Sequence, residues 1–473
     1  MASRNAISSS PERKRFSYRT LSSACSRIFL NQYFLLLLFI AAAVIVALGK
    51  TTTEPVTPTS PEVVGTAIFV GIVCLALVLC DDIFATTAPF LLLCVFVTSC
   101  YDSFAAFIKY LPLGIVAVIC IVFHFVYFKK RFVIGNTFWG LIAVSVAITL
   151  GGAFFIEPSQ YFSPTSLYYT AALGFGMALF YLLFKSQIAE KRDYDAREKF
   201  ISLLYLMGAL AVFAVMVFVI KNLDFIKGKN QLPAFQPSNN LSTMLMLALP
   251  CPFYFARKNP VHLIVPFLMY GSMILTGSRG GILLGAVHLV LCLIISACWD
   301  KPRRALYVAT IILLIAFALI VVNNHFLFKF FFGSDEISGV ISKNESRYQL
   351  LIRAKEIFPD CMIFGHGLAY NGNTDLYSPV KGAMQWYHMM IPQIVAGLGF
   401  VGIAAYSLQF VLRIRSVCSA LSMERKTDRK NTALIYTLLL SYLGVLLMSQ
   451  VNPGLFCPIP YSLMAVMIFA LID

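Results

Sequence analysis

The chain has 473 residues, of which 59% are hydrophobic and 12% charged, and its mean hydropathy is +0.80. Ordinary soluble domains carry about 25% charged residues, so a soluble globular fold is excluded, as are disordered and collagen-like chains. The formal net charge of +15 would suggest nucleic acid in a soluble protein, but here the basic residues follow membrane topology.

Apolar runs near the roughly 20 residues needed to span a bilayer recur along the chain. They predict an all-α, polytopic integral membrane protein of about 14 transmembrane helices with one long extracytoplasmic loop bearing short helices. Residues 1–27 read as a basic cytoplasmic tail carrying Arg4, Arg13, Lys14, Arg15, Arg19 and Arg27. The apolar run from Ile28 to Leu48 reads as an uncleaved first helix, because its basic flank is long for a signal peptide and more spans follow at once. Further spans are expected near 63–80, 84–100, 111–128, 132–155, 165–184, 200–220, 241–256, 260–276, 281–298 and 305–323, so that residues 28–322 hold transmembrane helices 1–11. Residues 323–389 form the long extracytoplasmic loop, and residues 390–473 hold helices 12–14, near 390–412, 431–449 and 455–471. With this alternation, basic clusters at Lys129 to Arg131, Lys185 to Lys199, Arg257 and Lys258, Lys301 to Arg304, and Arg413 to Lys430 fall on cytoplasmic turns. The positive-inside rule then places both termini in the cytoplasm. Anionic membrane lipids suit the basic tail as partners, and nucleic acid does not.

Most of the 12 cysteines, among them Cys74, Cys94, Cys120 and Cys292, fall inside apolar spans and read as packing residues. No spacing suggests a metal site or a disulfide framework, so neither a metal nor a cofactor is expected. Ionisable side chains within spans mark function by default because hydrocarbon makes them costly. Few occur here. His124 and His288 read as packing residues, and Asp81, Asp82, Glu157 and Asp224 sit in or beside loops.

The polar groups of interest gather on the outer side. Thr276-Gly277-Ser278-Arg279-Gly280-Gly281 joins two spans almost without a loop; its glycines allow a tight reversal, and Arg279 is left at the membrane boundary. A guanidinium there can fork onto a phosphate or pyrophosphate, or serve only as a snorkelling interface residue. In the long loop, Ser342 to Glu345 can cap a helix running to about Phe358, with Tyr348, Leu351, Ile352 and Phe358 on one side, Arg347 in its first turn and Pro359 at its end. Ile363-Phe364-Gly365-His366-Gly367-Leu368 marks a turn rather than a dinucleotide fingerprint, since the spacing fails. Gln385-Trp386-Tyr387-His388 then runs into the next span, where an imidazole can take a proton from a hydroxyl nucleophile at neutral pH or can simply pack at the interface.

In this order, these elements resemble the O-antigen ligase and polymerase superfamily of bacterial membrane glycosyltransferases. The matching residues are Ser278-Arg279-Gly280, Arg347 in Glu345-Ser346-Arg347-Tyr348, Phe364-Gly365-His366-Gly367, and His388 ahead of Gly397-Leu398-Gly399-Phe400-Val401-Gly402. The resemblance covers roughly residues 240 to 412. Met389 stands where the family often has Asn, and Gln393 stands in for a common acidic residue.

The resemblance implies transfer of a glycan from an undecaprenyl-pyrophosphate carrier to an acceptor hydroxyl, on the outer face of the bacterial cytoplasmic membrane, without a metal or nucleotide sugar. His388 is implied as general base, with Arg279 and Arg347 stabilising the departing pyrophosphate. Ser278, Gly280, Arg353, His366 and Tyr387 are candidate substrate-binding residues, His366 being also a plain turn residue. Polymerisation of surface polysaccharide repeat units is the leading expectation, because the span count exceeds that usual for ligases. Ligation of the finished glycan onto lipid A core is the alternative, and a chain-length regulator is a candidate partner. A transporter or flippase would have a similar span count but would line a central cavity with charges in symmetric halves, which this sequence lacks.

Overall fold

The computed structural model describes residues 18–49, 57–99, 111–152, 162, 164–188, 193–224, 226, 238–332, 345–368, 387–427, 429–452, 454–456 and 459–473. Every regular element among them is helical. Among the described residues six helices are long and apolar enough to cross a membrane: Pro61–Leu79, Ala196–Lys221, Arg279–Trp299, Lys301–Asn323, Met390–Met423 and Asn431–Met448. A seventh crossing forms if Leu21–Phe29 and Gln32–Leu48, bent by 58°, make one span. Shorter apolar helices, Phe84–Thr98, Pro112–Tyr127, Asn136–Leu150, Phe175–Ile188, Pro260–Leu275 and Ile459–Ile472, fall where further spans were expected. The described residues therefore form an all-helical membrane fold, and length and composition alone support six or seven crossings among them.

Several expected spans are interrupted, each at a residue that explains the break. The first begins earlier than expected, as Tyr18–Phe29, and stops at Asn31. There the Asn31 side chain accepts from Tyr33 N at 2.8 Å and caps Gln32–Leu48, a competition with the ladder that Asn favours. The tail's last turns are thus helical and docked, with Ser26 Oγ donating to Asp81 at 2.6 Å. The basic residues before Tyr18 lie outside the described residues. Gly174 separates Pro164–Leu173 from Phe175–Ile188, and Pro250, which lacks an N–H, separates Ser238–Ala248 from Cys251–Ala256.

Close packing explains why this bundle holds without a hydrophobic drive between lipid-exposed helices. Asn136–Leu150 lies antiparallel along Met390–Thr427, and Gly140 lets the backbones meet: a Cβ there would stand 2.7 Å from Gln409 Cα. His124 and His288 are buried, bonding to the carbonyls of Leu77 at 2.8 Å and Leu440 at 3.0 Å, so both are packing residues. Cys74, Cys94, Cys120 and Cys292 are free and buried as expected.

One end of the bundle is tied by charges. Asp473 accepts from Thr137 N at 3.0 Å and Tyr181 Oη at 2.6 Å. Lys185 Nζ and Arg197 Nε each donate at 3.0 Å to Ala470 O and Leu471 O, satisfying the last carbonyls of Ile459–Ile472 where its dipole is negative. The opposite end carries the sequence motifs.

Candidate functional site

The Ser278 turn builds the first wall. Gly277 takes φ 70°, where a side chain is disfavoured, and Ser278 becomes the N-cap of Arg279–Trp299. Its Oγ accepts from Gly281 N at 3.0 Å and donates to Asn239 Oδ1 at 2.6 Å. Thr276 Oγ1 accepts from Ser278 N at 3.2 Å and meets Ser242 Oγ at 3.1 Å. The half-buried Arg279 therefore opens a helix, at the positive end of its dipole, where anions bind. Gly280 leaves room for Val451: a Cβ would come within 2.8 Å of its side chain.

The second wall is made by the helix that starts at Met390. Its first N–H donates to Ser449 O at 2.8 Å, so the His388 segment and the Arg279 helix rest against the same 448–452 turn. His388 is half-buried and holds φ 55°, uncommon for a residue with a side chain and worth explaining by function.

The loop and this helix interlock at a break. Gly399 has φ 61° and ψ −156°, which interrupts Met390–Thr427. An unbroken helix would join Phe400 N to Ala396 O and Val401 N to Gly397 O. Instead the loop inserts into both bonds. Phe400 N and Val401 N donate to Met362 O and Ile363 O at 2.7 and 3.1 Å, while Ala396 O and Gly397 O accept from His366 N and Gly367 N, both at 2.9 Å. The freed backbone groups are all paired, as burial requires. The Gly365-His366-Gly367 stretch is thus more than a turn: Gly365, at φ 67°, presses its Cα on the Gly397 peptide, where a Cβ would approach to 2.3 Å.

Side chains complete the support. Buried His366 Nε2 lies 2.6 Å from Tyr387 Oη. Burial pushes the Tyr387 phenol well above its ordinary range, with Cys361 adding and the nearby Arg353 opposing, so it stays an O–H. Tyr387 N donates to Gln393 Oε1 at 2.9 Å, and Gln393 Nε2 donates to Leu368 O. Tyr387 and His366, expected to touch substrate, are buried in the scaffold and hold the residue next to them.

The Glu345–Ile357 helix is present, but its inward face is Leu350, Ala354 and Ile357. Leu350 and Ala354 pack with Tyr387 and Ala396. Tyr348 and Leu351, which the sequence places on one side of the helix, are exposed at 62% and 45%, and the protein-facing side is the other one. Phe358 meets Phe400 edge-on at 5.5 Å. Arg353 is exposed and 3.5 Å from Glu356. The Ser342 to Asn344 cap, the Arg347 side chain, Gln385 and Trp386 lie outside the described residues. Among the described residues no three His, Cys, Asp or Glu side chains gather as a metal site.

Gln393 is the supporting residue that sequence reasoning undervalued. It donates to one side and accepts from the other, so it needs an amide. Gln393→Glu is expected to turn a donor towards Leu368 O into an acceptor, lowering the thermal midpoint by several degrees and slowing turnover. A variant with the wild-type melting curve and rate would sink this reading.

Residues 264–407 match a family model described as O-antigen ligase. The match spans the four motifs and supports a likeness to the O-antigen ligase/polymerase superfamily, whose members are glycosyltransferase-like enzymes. No curated protein matches the chain.

Proposed function

We propose that the protein is a glycosyltransferase of the bacterial cytoplasmic membrane that moves a glycan from an undecaprenyl-pyrophosphate carrier to an acceptor sugar hydroxyl. The observation that carries this reading is the shared 448–452 turn, against which the His388 segment and the Arg279 helix terminus both rest. His388 accepts the hydroxyl proton while the oxygen attacks the anomeric carbon and the bond to pyrophosphate breaks with inversion. Arg279, the Arg279–Trp299 helix dipole and Arg347 stabilise the charge on the leaving group. The positive-inside rule sets this end on the outer face and both termini in the cytoplasm, with the shorter apolar helices and the broken pair Ser238–Ala248 and Cys251–Ala256 completing about fourteen crossings.

An apolar cavity of about 420 Å³ begins one turn along from Arg279, lined by Ile282, Leu283, Val287, Leu314, Phe317 and Phe331. Its outer wall, the Lys301–Asn323 helix, is only 11% buried, which leaves the cavity open to lipid. It suits the isoprenoid tail of a carrier whose pyrophosphate sits at Arg279. Polymerisation of repeat units is the first reading of the reaction. Ligation onto lipid A core is the second, and the family match is compatible with either.

Purified protein supplied with undecaprenyl-pyrophosphate repeat units alone should give a ladder of products if it polymerises, and transfer only after lipid A core is added if it ligates. Arg279→Ala should lower either activity roughly a hundredfold to a thousandfold, the cost of one well-placed donor to developing charge. No transfer under either condition would overturn the assignment.

A further inference from the structure

The helix from Met390 carries one arginine back into the bundle. The apolar run suggests that the span ends near residue 412 and that Arg413 opens a cytoplasmic turn, but the helix continues through it to Thr427. Arg413 stands about 20 Å along the helix from Gly399, at 1.5 Å per residue, and is only 7% exposed. Its guanidinium lies 5.1 Å from the Tyr442 ring centroid and 4.6 Å from that of Phe469, and one Nη donates to Tyr442 Oη at 2.6 Å. Phe469 is one helical turn from Asp473, so Arg413 sits towards the charge-tied end of the bundle.

Among the described residues no carboxylate pairs with Arg413, and its Nε–H is buried without a partner. A guanidinium has five donors and no acceptor. Ring faces offset part of the cost of holding it away from water, but an unpaired charge in a bundle is a standing demand for an anion. Gln409, one turn earlier on the same face, is 4% exposed, and its amide has no hydrogen-bond partner among the described residues.

Both residues line a crevice of about 440 Å³ that runs from Met390 past Ile394 and Phe410 to Gln409, Arg413 and Tyr442. Its walls are mostly apolar, with Gln409, Arg413 and Tyr442 gathered at the foot. Phe410 and the neighbouring Val411 are exposed on the outer surface of the helix, so the crevice opens sideways towards lipid.

We infer that this crevice binds one anionic phospholipid from the leaflet at the Asp473 end. The phosphate lies on the Arg413 guanidinium and the Gln409 amide, and an acyl chain runs along Phe410 and Ile403 towards the middle of the crevice. Charge complementarity selects the occupant: a basic pocket between spanning helices takes an acidic headgroup, and the apolar length above it takes a chain rather than a free ion. The site is separate from the one proposed for transfer and does not depend on that reading.

The test follows thermal unfolding of the detergent-solubilised full chain by intrinsic tryptophan fluorescence, in titrations with dioleoylphosphatidylglycerol, dioleoylphosphatidylcholine or inorganic phosphate. Phosphatidylglycerol should raise the wild-type midpoint by about 3 °C at a large excess over its Kd, and the other two should leave it unchanged. Arg413→Gln should lose that shift. Ser407→Trp, at an exposed position on the crevice wall, keeps Arg413 and should lose it too, which preserves the test if Arg413→Gln fails to fold. No wild-type shift, an equal shift with phosphatidylcholine, a shift with phosphate alone, or a shift retained in both variants would each overturn the proposal.

Discussion

His388→Asn should lower transfer roughly a hundredfold to ten-thousandfold, the usual worth of a positioned general base, while leaving the protein folded. Asn is the informative replacement because it tolerates the positive φ that His388 adopts at 55°. The residues that hold this position are its neighbours: Tyr387 is fixed by His366 and Gln393, and Met390 N is fixed by Ser449 O. Removing the imidazole therefore takes away a base without loosening its support. The effect should fall on kcat with KM little changed, since the proton moves only in the transition state. An unchanged melting curve together with full activity would remove His388 from the reaction.

Gly399→Ala should be among the most destabilising single changes in the chain. At φ 61° and ψ −156° a residue with a Cβ meets strain of about 1–3 kcal/mol, and the added methyl would come within 2.5 Å of Met362 O. The relaxed alternative is a straight helix that restores two internal bonds and expels the loop from four. That would leave Met362 O, Ile363 O, His366 N and Gly367 N to find new partners, at a net cost of about 1 kcal/mol for each bond not replaced. A clear fall in melting temperature, faster proteolysis within 361–368 and loss of transfer are expected together. Protease resistance equal to wild type would mean that the interlock does not hold the loop.

The long apolar runs made the class of fold legible, because spanning a bilayer demands a length and composition that few other folds share. Their interruptions were less so: Asn31, Gly174 and Pro250 sit inside hydrophobic windows whose averages hide a single capping or breaking residue. The Ser278 turn was legible because a cap, glycines and an arginine were adjacent in sequence. The interlock was not, since Gly365 and Gly399 act only when two distant segments are brought together, and neither spacing reveals the bonds they exchange. Arg413 was placed in a turn because a charge at the end of an apolar run ordinarily ends a span, whereas here Tyr442 and Phe469 supply faces that draw it inward.

The Gln393 clasp joins Leu368 to Tyr387 and so closes the intervening chain at its base. Once the base is closed, the entropy of a loop changes slowly with its length, by only about 0.6 kcal/mol for each doubling. The stretch between can therefore be lengthened, shortened or rewritten without disturbing the imidazole beside it.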